Sequence, residues 1–276
     1  MGLVINTNIA SINAQRNLSR TEESLNTSLA RLSSGMRITA AKDDAAGLAI
    51  SERLNAQIRG LGQAERNASD GISLVQVAEG SLNEVGSILI RMRELAVQAA
   101  TGTYGEEERG YLENEFSALL LEIDRIAEVT DFNGTPLLDG STSIELQVGI
   151  NNAASDRITI GMEAMTVSGI GLSGVQISGT TGSHAQAALG SIDAAINAVS
   201  KSRGNLGAVQ NRLASTVKNL ATQRENLSAA NSRIRDVDVA SETVEMTRTQ
   251  ILMQAGISVL AQANQLPTMA LTLIGG

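Results

Sequence analysis

With 276 residues, 42% of them hydrophobic, the chain is long enough to bury a sizeable core. A net charge of −8 with no block of Lys or Arg excludes a phosphate-tracking surface for nucleic acid. No run of about 18 apolar residues is available to span a membrane, and the absence of cysteine excludes disulfides and thiol chemistry.

The chain opens MGLVINTNIASINAQRNLSR, without a basic stretch leading into a continuous apolar core, so a cleaved secretory signal is not expected. If the protein leaves the cell, another export route carries it. Residues 5–33 read as a helix with Ala14, Leu18, Thr21, Leu25, Ser28 and Leu32 on one stripe. Gly35 is placed to close it in the left-handed conformation, and a non-helical joint reaches to about residue 43. Asp43 or Asp44 then offers the N-cap of a long helix ending near Ala100. A stripe steps by 4 and 3 without a break through Ile50, Leu54, Gln57, Leu61, Ala64, Ala68, Gly71, Val75, Ala78, Leu82, Val85, Leu89, Met92, Ala96 and Ala99.

Thr101 to Gly105 breaks the helix, and Glu106-Glu107-Glu108 begins another, suited to the positive end of its dipole, with Leu112, Phe116, Leu119, Ile123 and Ile126 on one face. Asp131-Phe-Asn-Gly-Thr-Pro136 is a turn cluster. The alternating runs Ile144-Leu146-Val148-Ile150 and Ile158-Ile160-Met162 read as a β-hairpin, and Gly, Ser and Thr dominate 166–183, an expected exposed tip. A helix over about 185–235 carries a seven-residue spine, Ile192, Val199, Leu206, Leu213, Leu220, Leu227 and Ile234. The last helix, about 236–265, bears Leu252, Ala255, Val259, Gln262 and Leu266, and Pro267 is expected to stop or kink it.

A 3.5-residue repeat in two long segments predicts helices packed along each other as a coiled coil. A helix from 44 to 100 would be on the order of 85 Å long, against a radius of gyration of about 19 Å for a globule of this size. The expected fold is therefore mainly α: an elongated coiled-coil helical hairpin rod with a small β-hairpin tip. Its seam is expected at Leu61, Val75, Leu82 and Leu89 and at the seven spine residues. The expected domains are a terminal helical domain, 1–43 with 236–276; a helical rod, 44–140 with 185–235; and a tip, 141–184. The terminal helices bring more apolar stripe than two helices can cover. Ile9, Ile12, Leu18, Leu25, Leu32, Leu252, Val259, Leu260 and Leu266 are expected to be buried when copies associate.

Nothing in the sequence assembles a catalytic, metal or cofactor site. His184 has no second imidazole or thiol to join it and reads as a surface residue. Asp43-Asp44 could be an acid–base pair, but capping accounts for both. Gly60-Leu61-Gly62 lacks the context of a phosphate loop and reads as close packing. The Asn-x-Ser/Thr triplets at Asn26 and Asn67 fall inside helices, whereas the Ser and Thr of the tip are open to O-linked sugars.

Leu32-Ser-Ser-Gly-Met-Arg-Ile38, Asp43-Asp-Ala-Ala-Gly-Leu-Ala-Ile50, Arg93-Glu-Leu-Ala-Val-Gln98, Asp131-Phe-Asn-Gly134 and Gly256-Ile-Ser-Val-Leu-Ala-Gln-Ala-Asn-Gln265 resemble bacterial flagellin. The resemblance covers roughly 1–150 and 185–276 and departs in the short middle and slightly in the last six residues. It implies a structural, non-enzymatic subunit that polymerises with itself into the extracellular flagellar filament for swimming, with the terminal helices in the filament core. It further implies the flagellar export apparatus, an export chaperone and the hook-associated and cap proteins as partners, with no nucleic acid, membrane or cofactor. Arg91, Leu95 and Glu115 match positions through which the flagellin-sensing Toll-like receptor recognises family members, with Ile90 in place of a usual polar residue. A hook-filament junction protein shares such terminal helices, although the ending Ser258-Val-Leu-Ala-Gln-Ala-Asn-Gln265 favours the filament subunit. A helical signalling hairpin would share the heptads without a β tip, and a membrane-active toxin would need a basic face that this acidic chain lacks.

Overall fold

A computed structural model describes residues 7–140 and 143–274, and side chains as far as Gln265. Among the described residues the fold is mainly α, with helices α1 (Ile9–Ser34), α2 (Ala45–Ala100), α3 (Glu106–Val129), α4 (Ser183–Arg235) and α5 (Val239–Ile274). Two small antiparallel sheets lie between α3 and α4 in sequence: β1 (Asp131–Phe132) with β2 (Thr135–Pro136), and β3 (Ser143–Gln147) with β4 (Arg157–Gly161). The chain divides into two compact units, Met1–Ala56 with Asn226–Gly276, and Gln57–Glu225. These divisions fall inside α2 and α4 rather than at the joints near 43 and 236. The reason is local bonding: Arg235 pairs with Glu52 at 2.8 Å and Asn231 donates to Asn55, which ties the start of α2 to the end of α4.

Helix ends follow from side chains that satisfy otherwise unpaired backbone groups. Asn8 caps α1 by accepting from the Ser11 N–H, and Gly35 closes the helix at φ 70°. Asp44 caps α2 through Gly47 N–H, while Asp43 braces the joint, accepting from Thr39 N–H, Thr39 Oγ1 and Ala40 N–H. The adjacent aspartates thus do different jobs, neither of them acid–base chemistry. Helix α5 does not stop at Pro267 but continues to Ile274. A proline removes only one N–H from a helix, and a long helix can continue when the freed carbonyl finds another donor.

The Gln57–Glu225 unit has one contiguous core. On α2 it takes Val75, Leu82, Leu89, Met92 and Leu95; on α4 it takes Ile192, Val199, Leu206 and Leu213; on α3, Phe116 and Ile123. Leu61 and Leu220 are buried as well, outside this cluster. The 4-and-3 spacing keeps each stripe inward over many turns. Leu227 and Ile234, the last two spine positions, are only half-buried and belong to the other unit. Ile50 is exposed, because Gly47 and Ser51 take the inward face at the start of α2.

The β3–β4 pair aligns Ile144 with Ile160 and Leu146 with Ile158. It sits on glycine sockets of α2: a Cβ at Gly71 would overlap Leu146, one at Gly60 would meet Ile150, and between them Asn67 donates to the Gln147 carbonyl at 2.9 Å. Asn133 and Gly134, at φ 52° and 78°, form a two-residue turn that pairs β1 with β2, so the turn cluster is a complete hairpin.

Residues 165–180 differ from the expected exposed tip. They are irregular, but Met165, Val167, Ile170, Leu172 and Ile177 are buried in the core. Helix α3 pins this strap with polar side chains. Asp124 accepts from Val167 N–H at 2.7 Å, and Glu113 accepts from Ile177 and Ser178 N–H at 2.6 and 2.9 Å. Arg109, 3% exposed, donates to the carbonyls of Ala99, Thr101, Gly179 and Thr180. His184, exposed, hydrogen-bonds the Ser178 carbonyl through Nδ1.

Candidate assembly interface

Helices α1 and α5 pack antiparallel within the terminal unit: Asn8 meets Ala263, Leu18 lies against Gly256, and Arg31 pairs with Glu242. On α1 the inward stripe is Ala14, Leu18, Thr21, Leu25, Ser28 and Leu32. Its partner on α5 is Met246, Thr249, Met253, Gly256, Leu260 and Ala263. Both step by 3 and 4, so this is a heptad seam, but one rich in small and polar residues. The buried Thr249 hydroxyl has to turn back onto the Glu245 carbonyl at 2.6 Å. Of its twelve residues only Ser28, Thr249 and Ala263 are fully buried, none of them a large apolar side chain, so the seam stabilises the pair modestly.

The nine expected interface residues therefore separate into two sets. Leu18, Leu25, Leu32 and Leu260 are half-buried in the α1–α5 seam of a single chain. Ile9, Ile12, Leu252 and Val259 point away from it and stay about half exposed, Val259 at 54%. The side chain of Leu266 lies outside the described residues. The structure adds Leu29 on α1 and Val239, Val244, Ile251 and Ile257 on α5, all exposed. Helix α5 thus carries two interleaved apolar stripes, and the seven-residue steps Val244 to Ile251 and Leu252 to Val259 are the sequence signal for the second. Single exposed apolar residues are ordinary on a surface, but a contiguous row on one helix marks an interaction face.

Where the two terminal segments meet the long helices, the joints pair with each other. Arg37 N–H donates to the Arg235 carbonyl at 2.7 Å and Val237 N–H to the Gly35 carbonyl at 3.0 Å, around an antiparallel bridge between Met36 and Asp236. Asp43 is held below the usual carboxylate range chiefly by the Thr39 hydroxyl, then by the Ala40 and Thr39 N–H groups. Asp238, at the start of α5, is lowered by the Ser241 hydroxyl and by the Ala240 and Ser241 N–H groups. Both carboxylates act as braces for backbone donors.

In the other unit, Arg91 forms an exposed fork with Glu115 at 2.8 Å and Glu94 at 2.9 Å, and its pKa is raised, first by the hydrogen bond to Glu115. Leu95 is not on this surface. At 1% exposure it packs in the core, one position round the helix from Glu94, so its side chain contacts no external partner while the unit stays folded.

The chain matches two family descriptions: the bacterial flagellin N-terminal helical region over residues 5–143, and the C-terminal helical region over 189–274. It is 49% identical to a flagellin of Halalkalibacterium halodurans, over 99% of this chain and 100% of that protein. To the flagellar filament 33 kDa core protein of Treponema phagedenis it is 43% identical, again over 99% and 100%. The solved flagellin of Bacillus cereus is similar at 31% identity and TM-score 0.50, covering 60% of this chain and 94% of that one. Paired terminal helices with an uncovered apolar face, matched at both ends of the chain by these relatives, place the protein in the bacterial flagellin family, as a structural subunit of the extracellular flagellar filament rather than an enzyme.

Proposed function

We propose that residues 1–43 and 236–276 make the copy-to-copy contacts of the polymer core. On this reading, 44–140 with 185–235 form a helical rod domain, and 141–184 its β-hairpin and strap. The observation that carries the reading is the second stripe of α5, with Val244, Ile251, Leu252 and Val259 uncovered while the first stripe is engaged by α1. Burying that stripe against neighbouring subunits supplies the apolar area that the α1–α5 seam lacks. The direct test is Val259→Asp. An unpaired carboxylate in a dry polymer core costs several kcal/mol per subunit and almost nothing on an exposed helix face. Filaments should disappear while the helical circular dichroism of the unassembled chain persists; a normal filament yield refutes the placement.

The same uncovered stripe has to be kept from premature association before assembly. A chaperone covering α5, delivery through the flagellar export apparatus, and capture of the arriving chain beneath the cap and beyond the hook-associated proteins fit that requirement. A second reading rests on the exposed Arg91–Glu115 fork beside Ile90, which is 57% exposed. We propose this fork as the part of the chain that the flagellin-sensing Toll-like receptor would engage. Arg91 and Glu115 contribute to that contact directly, and Leu95 only by holding the helix in place.

A further inference from the structure

Pro267 has no N–H, so within α5 the carbonyl of Ala263, four residues earlier, lacks its usual helical donor. That carbonyl is not left unpaired: Asn8 Nδ2 donates to it at 2.7 Å, across 255 residues of sequence. The other end of the same amide, Asn8 Oδ1, accepts from Ser11 N–H and caps α1, and Ser11 Oγ reaches Asn264 Oδ1 at 2.7 Å. Ala263 is itself buried, where an unpaired carbonyl is costly.

We infer that Asn8 is a two-ended clasp, whose side-chain amide simultaneously starts α1 and replaces the hydrogen bond that Pro267 removes from α5. The helical course of 264–274 then depends on the docking of α1. A proline at this position makes that dependence possible, because a residue with an N–H would bond the Ala263 carbonyl within α5 and remove its need for Asn8. The two ends of the pair thereby report on each other: the last turns of α5 are better protected when the first turn of α1 is in place. The inference rests on contacts within one chain and stands apart from the assembly reading.

The test is a cycle of three variants of the full chain, Asn8→Ser, Pro267→Ala and the double substitution, read by amide hydrogen exchange over 264–274 in both unassembled and polymerised protein. Serine is a good N-cap but too short to reach Ala263, so a role in capping alone predicts no change near the C-terminus. The clasp predicts that Asn8→Ser accelerates exchange there by about tenfold, and that in the Pro267→Ala background the same substitution has no effect. An equal effect in both backgrounds, no effect in either, or a wild-type chain unprotected over 264–274 in both forms would overturn the clasp. Failure of the wild type to polymerise would count against the assembly reading alone.

Discussion

Leu213→Ala is the sharpest probe of how the Gln57–Glu225 unit holds together. Leu213 is 0% exposed, and its Cδ1 approaches the bare backbone of Gly71 on α2, where Leu146 of β3 also inserts. The substitution removes three buried carbons, worth about 2.4 kcal/mol in transfer free energy at about 0.8 kcal/mol each. A cavity term is added because helices α2 and α4 are fixed by the seam on either side and cannot close the gap, which brings the expected loss to about 3 to 5 kcal/mol. For a unit of this size each kcal/mol shifts the melting temperature by about 2 to 4 °C, so a fall of roughly 6 to 20 °C is expected in the unassembled protein by far-ultraviolet circular dichroism. Leu227→Ala, in the same heptad frame but half-buried, should give less than half of that. Equal shifts at the two positions, or none at 213, would show that the seam does not carry the unit's stability.

Arg91→Ala should weaken receptor signalling by the unassembled protein strongly while leaving its melting temperature nearly unchanged, since the pair with Glu115 is exposed; undiminished signalling would remove the receptor reading. Asp43 and Asp238 have lowered folded-state pKa values, so their stabilisation is complete above roughly pH 4 and is lost as pH falls through those lowered values. Amide exchange at Thr39, Ala40, Ala240 and Ser241, corrected for its intrinsic rate, should therefore accelerate below pH about 4 and stay flat from pH about 5 to 7; acceleration in the neutral range would point to a different brace.

The long-helix seams were legible because a stripe stepping 3 and 4 from Ala64 to Ala99 leaves no other face to bury. The β3–β4 hairpin was legible from alternation, and the Gly35 and Asp44 helix ends from their chemistry. The strap at 165–180 was not, because its buried Val167, Ile170, Leu172 and Ile177 follow no period and are diluted by Gly, Ser and Thr. Arg109 beside three glutamates looks like a solvated helix start, and only the convergence of distant carbonyls reveals a buried clamp. On α5 the more apolar stripe is the one left uncovered, so hydrophobicity alone points to the wrong face for α1; the choice depends on small residues such as Gly256 admitting Leu18. Leu95 illustrates a further limit, since a matching residue carries its identity from relatives but not its exposure.

The central claim is that α1 and α5 have an apolar face which only other copies cover. Limited proteolysis, comparing unassembled protein with filaments grown by salting out and checked by electron microscopy, tests it most directly. Segments 1–43 and 236–276 should be cleaved rapidly in the unassembled chain and resist in the filament, with 57–225 resistant in both. Equal protection of the terminal segments in the two forms would contradict the account.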